Sequence, residues 1–552
     1  MISQIGKVLA PFAVLFVLAS PQGLFAEGRR GGFDEAFGPR IHPDPRSAPP
    51  DGRHRPHPGP DRTRAVAVSY WNQIAIDASI LDHTWPVAPE TRAFGEQLGP
   101  VRTSRALAIV HIAIFDAVNA IAGGYESYTK LNRARPATSV RSAIAQAAHD
   151  TLAFLYPSQT ASFDLSLAQD LETIPNGQAK SDGIALGHNA AAAVLALRVN
   201  DGYPPTYTEP LLGTGFIPSN DPGKWRQDPI SLVPIALGAN WGQVKPFALK
   251  SGDQFRTPLP PALDSREYAT AYNEVKRLGG CGLDPAGCPD GPDGHPTPTD
   301  RTTEQTEIGI YWGYDGTPGL GVPPRLYNQI TMSIAHKMGT DTNEVELARL
   351  LALVNVAMAD VGIAAWESKY HYQVWRPVTA IREADEGTGP TGAGDGNPDT
   401  SGDPTFSPLG APASNLLGPN LTPPFPAYPS GHASFGGALF EMLRNYYRSD
   451  RIPFTFVSDE FNGVTKDNRG NVRPLVTRSF SSLSQAEEEN GQSRIYLGIH
   501  WAFDATEGVK QGNRVADYVF KNMLRPLHQR LVWSIWLIWF VSFIWLIWFI
   551  WL

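Results

Sequence analysis

Cysteine is almost absent from this sequence: its 552 residues contain two, Cys281 and Cys288, in the stretch "CGLDPAGC". Two thiols exclude a thiolate-rich metal cluster and a multi-disulfide framework, and their short spacing makes a small structural disulfide loop the expected use in an oxidising compartment. A basic excess is missing too, since 46 Lys and Arg face 54 Asp and Glu for a net charge of −8. A nucleic-acid partner calls for the opposite balance, so any anion site must be a local cluster of cations. Neither an HExxH motif nor a glycine-rich phosphate loop after a strand is present. No stretch alternates apolar and polar residues for long enough to predict a sheet.

What is present is helical. From Val66 onward apolar residues recur at helical spacing in "VAVSYWNQIAIDASI", "SRALAIVHIAIFDAVNAI", "SVRSAIAQAAHDTLAFLY" and "GIALGHNAAAAVLALRVN". These predict a first helical bundle over residues 65–262. Its last part, 201 to 262, is rich in Pro and Gly and connects it to a second bundle over 263–530, which includes "EVELARLLALVNVAMADVGIAAWESKYHYQVW". The expected fold class is therefore all-α, with two helical bundles. Ahead of them, residues 1–26 have Lys7, an apolar run and Ala26 in the layout of a secretory signal, which predicts export to the periplasm or the extracellular space. Residues 27–64 hold eight prolines and eight arginines with hardly any apolar anchors, the composition of a disordered linker. The C-terminal segment 531–552 is apolar apart from two serines and long enough to span a bilayer. Its repeated "IWLIWF" equally fits a tandem expansion, so a membrane anchor and an expanded tail both stay open.

Three short stretches carry chemistry. In "KYHYQVWRP", Lys369 and Arg376 are seven residues apart, two helical turns, so both side chains are expected on one face, with Pro377 setting Arg376 at the helix end. In "FPAYPSGHASFGG", Ser430 is a good N-cap for the apolar run from Ala433 to Tyr447. The Ser430 hydroxyl, the Gly431 N–H and the positive end of the helix would then face one point, as oxyanion sites require, with His432 beside it to move a proton. In "SRIYLGIHWAFDATEG", His500 and Asp504 are four apart and can hydrogen-bond, which orients the imidazole. Arg494, six residues before His500, reaches the same site only if the helix breaks near Gly498. Taken singly, each stretch also reads as a solvated pair, a capped surface helix or a satisfied core histidine.

Together they spell K-x6-RP, PSGH and SR-x5-H-x3-D in chain order. This set resembles the signature of vanadium-dependent haloperoxidases and of the type 2 phosphatidic acid phosphatase and acid phosphatase superfamily. The likeness to the fungal vanadium chloroperoxidase group extends over roughly residues 300 to 520, through "YWGYDGTPGLGVPPRLYNQI", "PPFPAYPSGHASFGGALF" and "SRIYLGIHWAFDA". The resemblance implies a vanadate cofactor bound through His500, with Asp504 orienting that ring. Lys369, Arg376, Arg494, Ser430 and the Gly431 N–H would hold the oxyanion, and His432 would act as acid–base. It further implies that Asp315 hydrogen-bonds His432, that Trp366 lies on the halide side, and that Phe425 stands where bromoperoxidases carry a second histidine. Hydrogen peroxide and a halide, chloride or bromide, would be the substrates, and Lys369 would polarise the peroxide. The alternative on the same scaffold is an exported phosphomonoesterase, with His500 as nucleophile and His432 protonating the leaving group.

Overall fold

The computed structural model describes residues 67–527 apart from 204–214, 234, 284–287, 289–294, 317–318, 412–421 and 467–471. The expected signal (1–26), linker (27–64) and apolar tail (531–552) lie outside the described residues. Among the described residues there are thirteen α-helices and one two-stranded sheet, as expected of the all-α class. The first half supplies α1 (Ala67–Asp82), α2 (Pro100–Ala122), α3 (Val140–Leu155), α4 (Thr160–Glu172) and α5 (Gln178–Arg198). The second supplies α6 (Arg266–Leu278), α7 (Thr303–Tyr311), α8 (Pro323–Met338), α9 (Glu344–Tyr372), α10 (Pro377–Arg382), α11 (Gly431–Tyr447), α12 (Leu483–Tyr496) and α13 (Ala502–Asn522).

Local chemistry starts these helices. Ser139 accepts from the Ser142 N–H at the head of α3, Asn343 accepts from Val345 and Glu346 at the head of α9, and Thr302 with Gln305 forms a capping box for α7. Helix α9 is apolar on every side and buried from Leu347 to Trp366, the signature of a helix running through a core. It packs against α2 on the first-half side and against α11 and α13 on the other. Both α2 and α9 are long and apolar enough to cross a membrane, yet both are buried inside the fold. One apolar core runs from Val68 in α1 through Ile109, Leu353 and Phe435 to Val519 in α13.

Two segments depart from the sequence reading. A hairpin of β1 (Phe454–Asn462) and β2 (Leu475–Phe480) pairs antiparallel, with Phe454 opposite Phe480 and Val457 opposite Thr477. Its alternation is hidden because Ser458, Asp459 and Glu460 all turn inward, each finding a polar partner: Ser458 Oγ donates to the Tyr311 carbonyl, Asp459 pairs with Arg325, and Glu460 accepts the Tyr314 N–H. The Pro/Gly-rich connection is also more than a tether. Trp225, Leu237 and Trp241 are buried, and the N–H groups of Phe247, Ala248 and Leu249 all donate to the Asp360 carboxylate of α9. Cys281 and Cys288 are bonded to each other.

Candidate active site

Lys369 and Arg376 do not share a helical face. Helix α9 stops at Tyr372, Gln373 closes it with a left-handed backbone at φ 57°, and Arg376 is the extended N-cap of α10. Pro377 is the physical reason, since it disfavours helical backbone at the residue before it. The turn nevertheless brings the two cations together: Lys369 Nζ and the Arg376 guanidinium each lie 5.0 Å from the centre of the Phe425 ring.

The required break between Arg494 and His500 is there. Helix α12 ends at Tyr496, Gly498 takes φ +73°, and α13 begins at Ala502 behind the N-cap Trp501. His500 therefore sits in the connecting turn and not on the helix, while Asp504 lies in the first turn of α13 and reaches back to it. The Nδ1 to Asp504 Oδ2 distance is 2.7 Å, and the same oxygen accepts the Trp501 N–H at 3.1 Å. A proton on Nδ1 leaves Nε2 with its lone pair, 3.0 Å from Arg376 Nη1. Ser430 caps α11 through the Ala433 N–H, as its position predicts, and its own N–H donates to the Asp504 carbonyl.

These elements close around a cavity of about 40 Å³, enough for a small anion. Its lining combines polar groups, Asp315, Gly431, His432, Arg494 and His500, with apolar ones, Pro100, Val322, Pro323, Trp366, Phe425 and Phe435, while Lys369, Arg376 and Ser430 are not among the lining residues. Pro100, Pro323 and Gly431 are the first residues of α2, α8 and α11, so the positive ends of three helices meet there. Trp366 and Phe425 pack with ring centres 4.9 Å apart, and the indole N–H is tied to the Leu237 carbonyl at 3.0 Å.

Asp315 does not hold His432 in the way the resemblance implies. Its Oδ1 is 2.5 Å from Arg494 Nη2 but 3.6 Å from His432 Nε2, which instead bonds the Gly313 carbonyl at 2.7 Å. A full positive charge on Arg494 outcompetes a neutral imidazole for the carboxylate. The His432 carbonyl is anchored in turn by Tyr327 and Asn490, both at 3.0 Å. Tyr327, Asn490, Gly313 and Pro100 were not singled out from sequence. Only Pro100 left a signal, the Gly-Pro pair at a helix start.

The electrostatics call for an anion. Burial and the neighbouring Arg376 push the Lys369 ammonium well below its ordinary range, and burial brings Arg376 down to about 9. Arg494 is buried, and its Nε and Nη1 have no hydrogen-bond partner among the described residues. Burial first, then Arg376 and Lys369, holds His500 well below the usual imidazole value; burial and then Arg494 do the same to His432. Desolvation lifts Asp504 to about 7 and raises Asp315 despite its ion pair. Lys369 Nζ spends two of its protons on the Pro426 and Ala427 carbonyls, at 2.8 and 2.9 Å. A negative charge in the cavity would relieve the repulsion among the three cations and satisfy the two unpaired N–H groups of Arg494.

Fold and site thus define a helical-bundle protein with a buried cavity lined by Arg494, His432 and His500, with Arg376 donating to the His500 Nε2. A family profile described as the VCPO second helical-bundle domain matches residues 349–529. Vanadium chloroperoxidase of Curvularia inaequalis is 31% identical over 535 residues, covering 81% of this chain and 80% of that protein. Among solved structures, a bacterial vanadium-dependent iodoperoxidase aligns with a TM-score of 0.62 at 23% identity, covering 84% of this chain and 97% of its own. An apo bacterial vanadium-dependent chloroperoxidase aligns at 0.55 and 17%, covering 77% and 94%. These two likenesses concern the fold. The chain belongs to the vanadium-dependent haloperoxidase family.

Proposed function

We propose that this chain is an exported vanadate-dependent haloperoxidase that uses hydrogen peroxide to oxidise chloride or bromide to hypohalous acid. The observation that carries the reading is that buried Arg494, whose Nε and Nη1 have no partner among the described residues, lines one cavity with His500, whose Nε2 lone pair faces the Arg376 guanidinium. That donor set fits a small anionic metal oxide. Bound vanadate would supply the centre at which peroxide is activated toward the halide. His500 would hold it through Nε2 in place of the Arg376 contact, with Asp504 keeping the opposite nitrogen protonated. Arg494 and the Gly431 N–H, which line the cavity, would neutralise its oxygens, and Arg376, Lys369 and Ser430 would support them. His432, whose Nε2–H is engaged by Gly313, keeps Nδ1 for taking and returning a proton as peroxide enters. Trp366 and Phe425 form an apolar wall that strips water from the halide, which supports chloride beside bromide as substrate.

The test is halogenation of a dye by purified protein supplied with vanadate, peroxide and bromide, then chloride. Excess phosphate should inhibit competitively with vanadate, because both anions address the same cations. Turnover of p-nitrophenyl phosphate without vanadate, together with no halide-dependent reaction, would assign the site to phosphomonoester hydrolysis.

A further inference from the structure

Pro100 lines the cavity together with Trp366 and Phe425 although it belongs to the first half of the chain, far in sequence from the other residues there. Its position is set by the end of α1. The Asp82 carboxylate accepts the N–H groups of Glu96 and Gln97, at 2.5 and 2.9 Å, and the Asp82 carbonyl accepts that of Gly95. His83 donates from Nδ1 to the Ser79 carbonyl at 2.7 Å, which leaves Nε2 to accept the N–H of Gly99, the residue just before Pro100, at 2.9 Å. Next along the chain, Thr84 Oγ1 accepts the Gly319 N–H at 2.8 Å, on the loop that follows Asp315. Asp82 and His83 are buried, and burial pushes His83 down to about 4, so the ring remains a neutral acceptor at neutral pH.

We propose that His83 and Asp82 are positioning residues for the halide side of the cavity, holding the tip of α2 so that Pro100 completes the wall made by Trp366 and Phe425. The inference rests on reading that side as the halide site. Proline at the first helical position has no N–H, so the tip of α2 presents one donor fewer to water while the positive end of the helix still faces the anion. Releasing Gly99 would let the tip withdraw and water enter, which weakens a weakly bound halide without touching the oxyanion ligands. The Asp82 and His83 hydrogen bonds that position the tip run to the backbone of Ser79, Glu96, Gln97 and Gly99, so the two binding events should separate.

The experiment compares wild type, His83→Leu, His83→Gln and Asp82→Asn as full chains loaded with vanadate. Bromide binding is read by bromide NMR line broadening, vanadate binding by calorimetry, and order at the tip by hydrogen exchange of residues 95–103. The loss of one buried hydrogen bond predicts bromide binding weakened about fivefold in His83→Leu, with faster exchange at the tip and vanadate binding within about twofold of wild type. Glutamine offers an acceptor again and should restore binding. Asp82→Asn, which loses one of its two acceptor oxygens, should weaken bromide in the same direction and decides the matter if His83→Leu does not fold. Unchanged bromide binding in a folded variant overturns the proposal, as does a parallel loss of vanadate or an absence of bromide broadening in wild type. Bromide broadening without any dye halogenation by wild type would sink the catalytic reading alone, because line broadening needs no turnover.

Discussion

Histidine is kept neutral here by two different means, and each predicts its own behaviour. His500 is kept neutral by burial and then by the charges of Arg376 and Lys369, while Asp504 on Nδ1 aims its Nε2 lone pair at the Arg376 guanidinium. His500→Ala should abolish vanadate binding, and Asp504→Ala should weaken it about 10- to 100-fold. His432→Ala should leave binding within a few-fold, since the remaining donors outnumber the one lost, while dye bromination falls by about two to four orders of magnitude. Calorimetric titration with vanadate beside the dye assay separates these, and collapse of binding in His432→Ala would exchange the two roles. His111 in α2, by contrast, is held by burial alone: neither ring nitrogen has a partner among the described residues, and desolvation pushes it down to about 3. Above pH 6.5 both folded and unfolded chains carry it neutral. Between 6.5 and 3 only the unfolded chain takes the proton, so stability falls with falling pH, by about 2 kcal/mol at pH 5. His111→Leu should therefore lose less in melting temperature between pH 7 and pH 5 than wild type, and an equal drop in both would refute this.

At the scale of elements, the turn between α12 and α13 is the tightest joint of the site. A Cβ on Gly498 would lie 2.4 Å from the Gly279 carbonyl oxygen, on top of a left-handed backbone. Gly339, at φ +74° behind α8, has the same backbone but open space around it. Gly339→Ala should cost about 1 kcal/mol, and Gly498→Ala at least about 2 kcal/mol with a loss of vanadate affinity, because the turn sets Arg494 against His500. Thermal denaturation and vanadate titration of the two variants check this, and equal costs would contradict it. The start of α11 was legible because a cap acts within three residues. The β1–β2 hairpin was not, since inward-facing Ser458, Asp459 and Glu460 make sense only once Tyr311, Arg325 and Tyr314 stand opposite.

For the whole molecule, α9 is buried on all sides, and α2 from the first half covers one of them. Residues 263–527 expressed alone would leave that face bare and should not give a folded, vanadate-binding protein, while the full chain should melt in one dominant transition. Calorimetry and circular dichroism of both chains test it, and a stable, vanadate-binding fragment would show the halves to be independent. The sequence by itself determined where helices start, which residue types gather into the K-x6-RP, PSGH and SR-x5-H-x3-D set, and that a break must fall near Gly498. Capping, periodicity and proline's effect on its predecessor act over a few residues, so they can be read along the chain. Only the tertiary structure decided that Asp315 pairs with Arg494, 179 residues away, and not with His432. It likewise decided that Arg376 meets His500 from a separate turn, and that Pro100 closes the cavity from the other half. Such choices are competitions among groups that become neighbours only after packing, where distance, burial and charge select the partner.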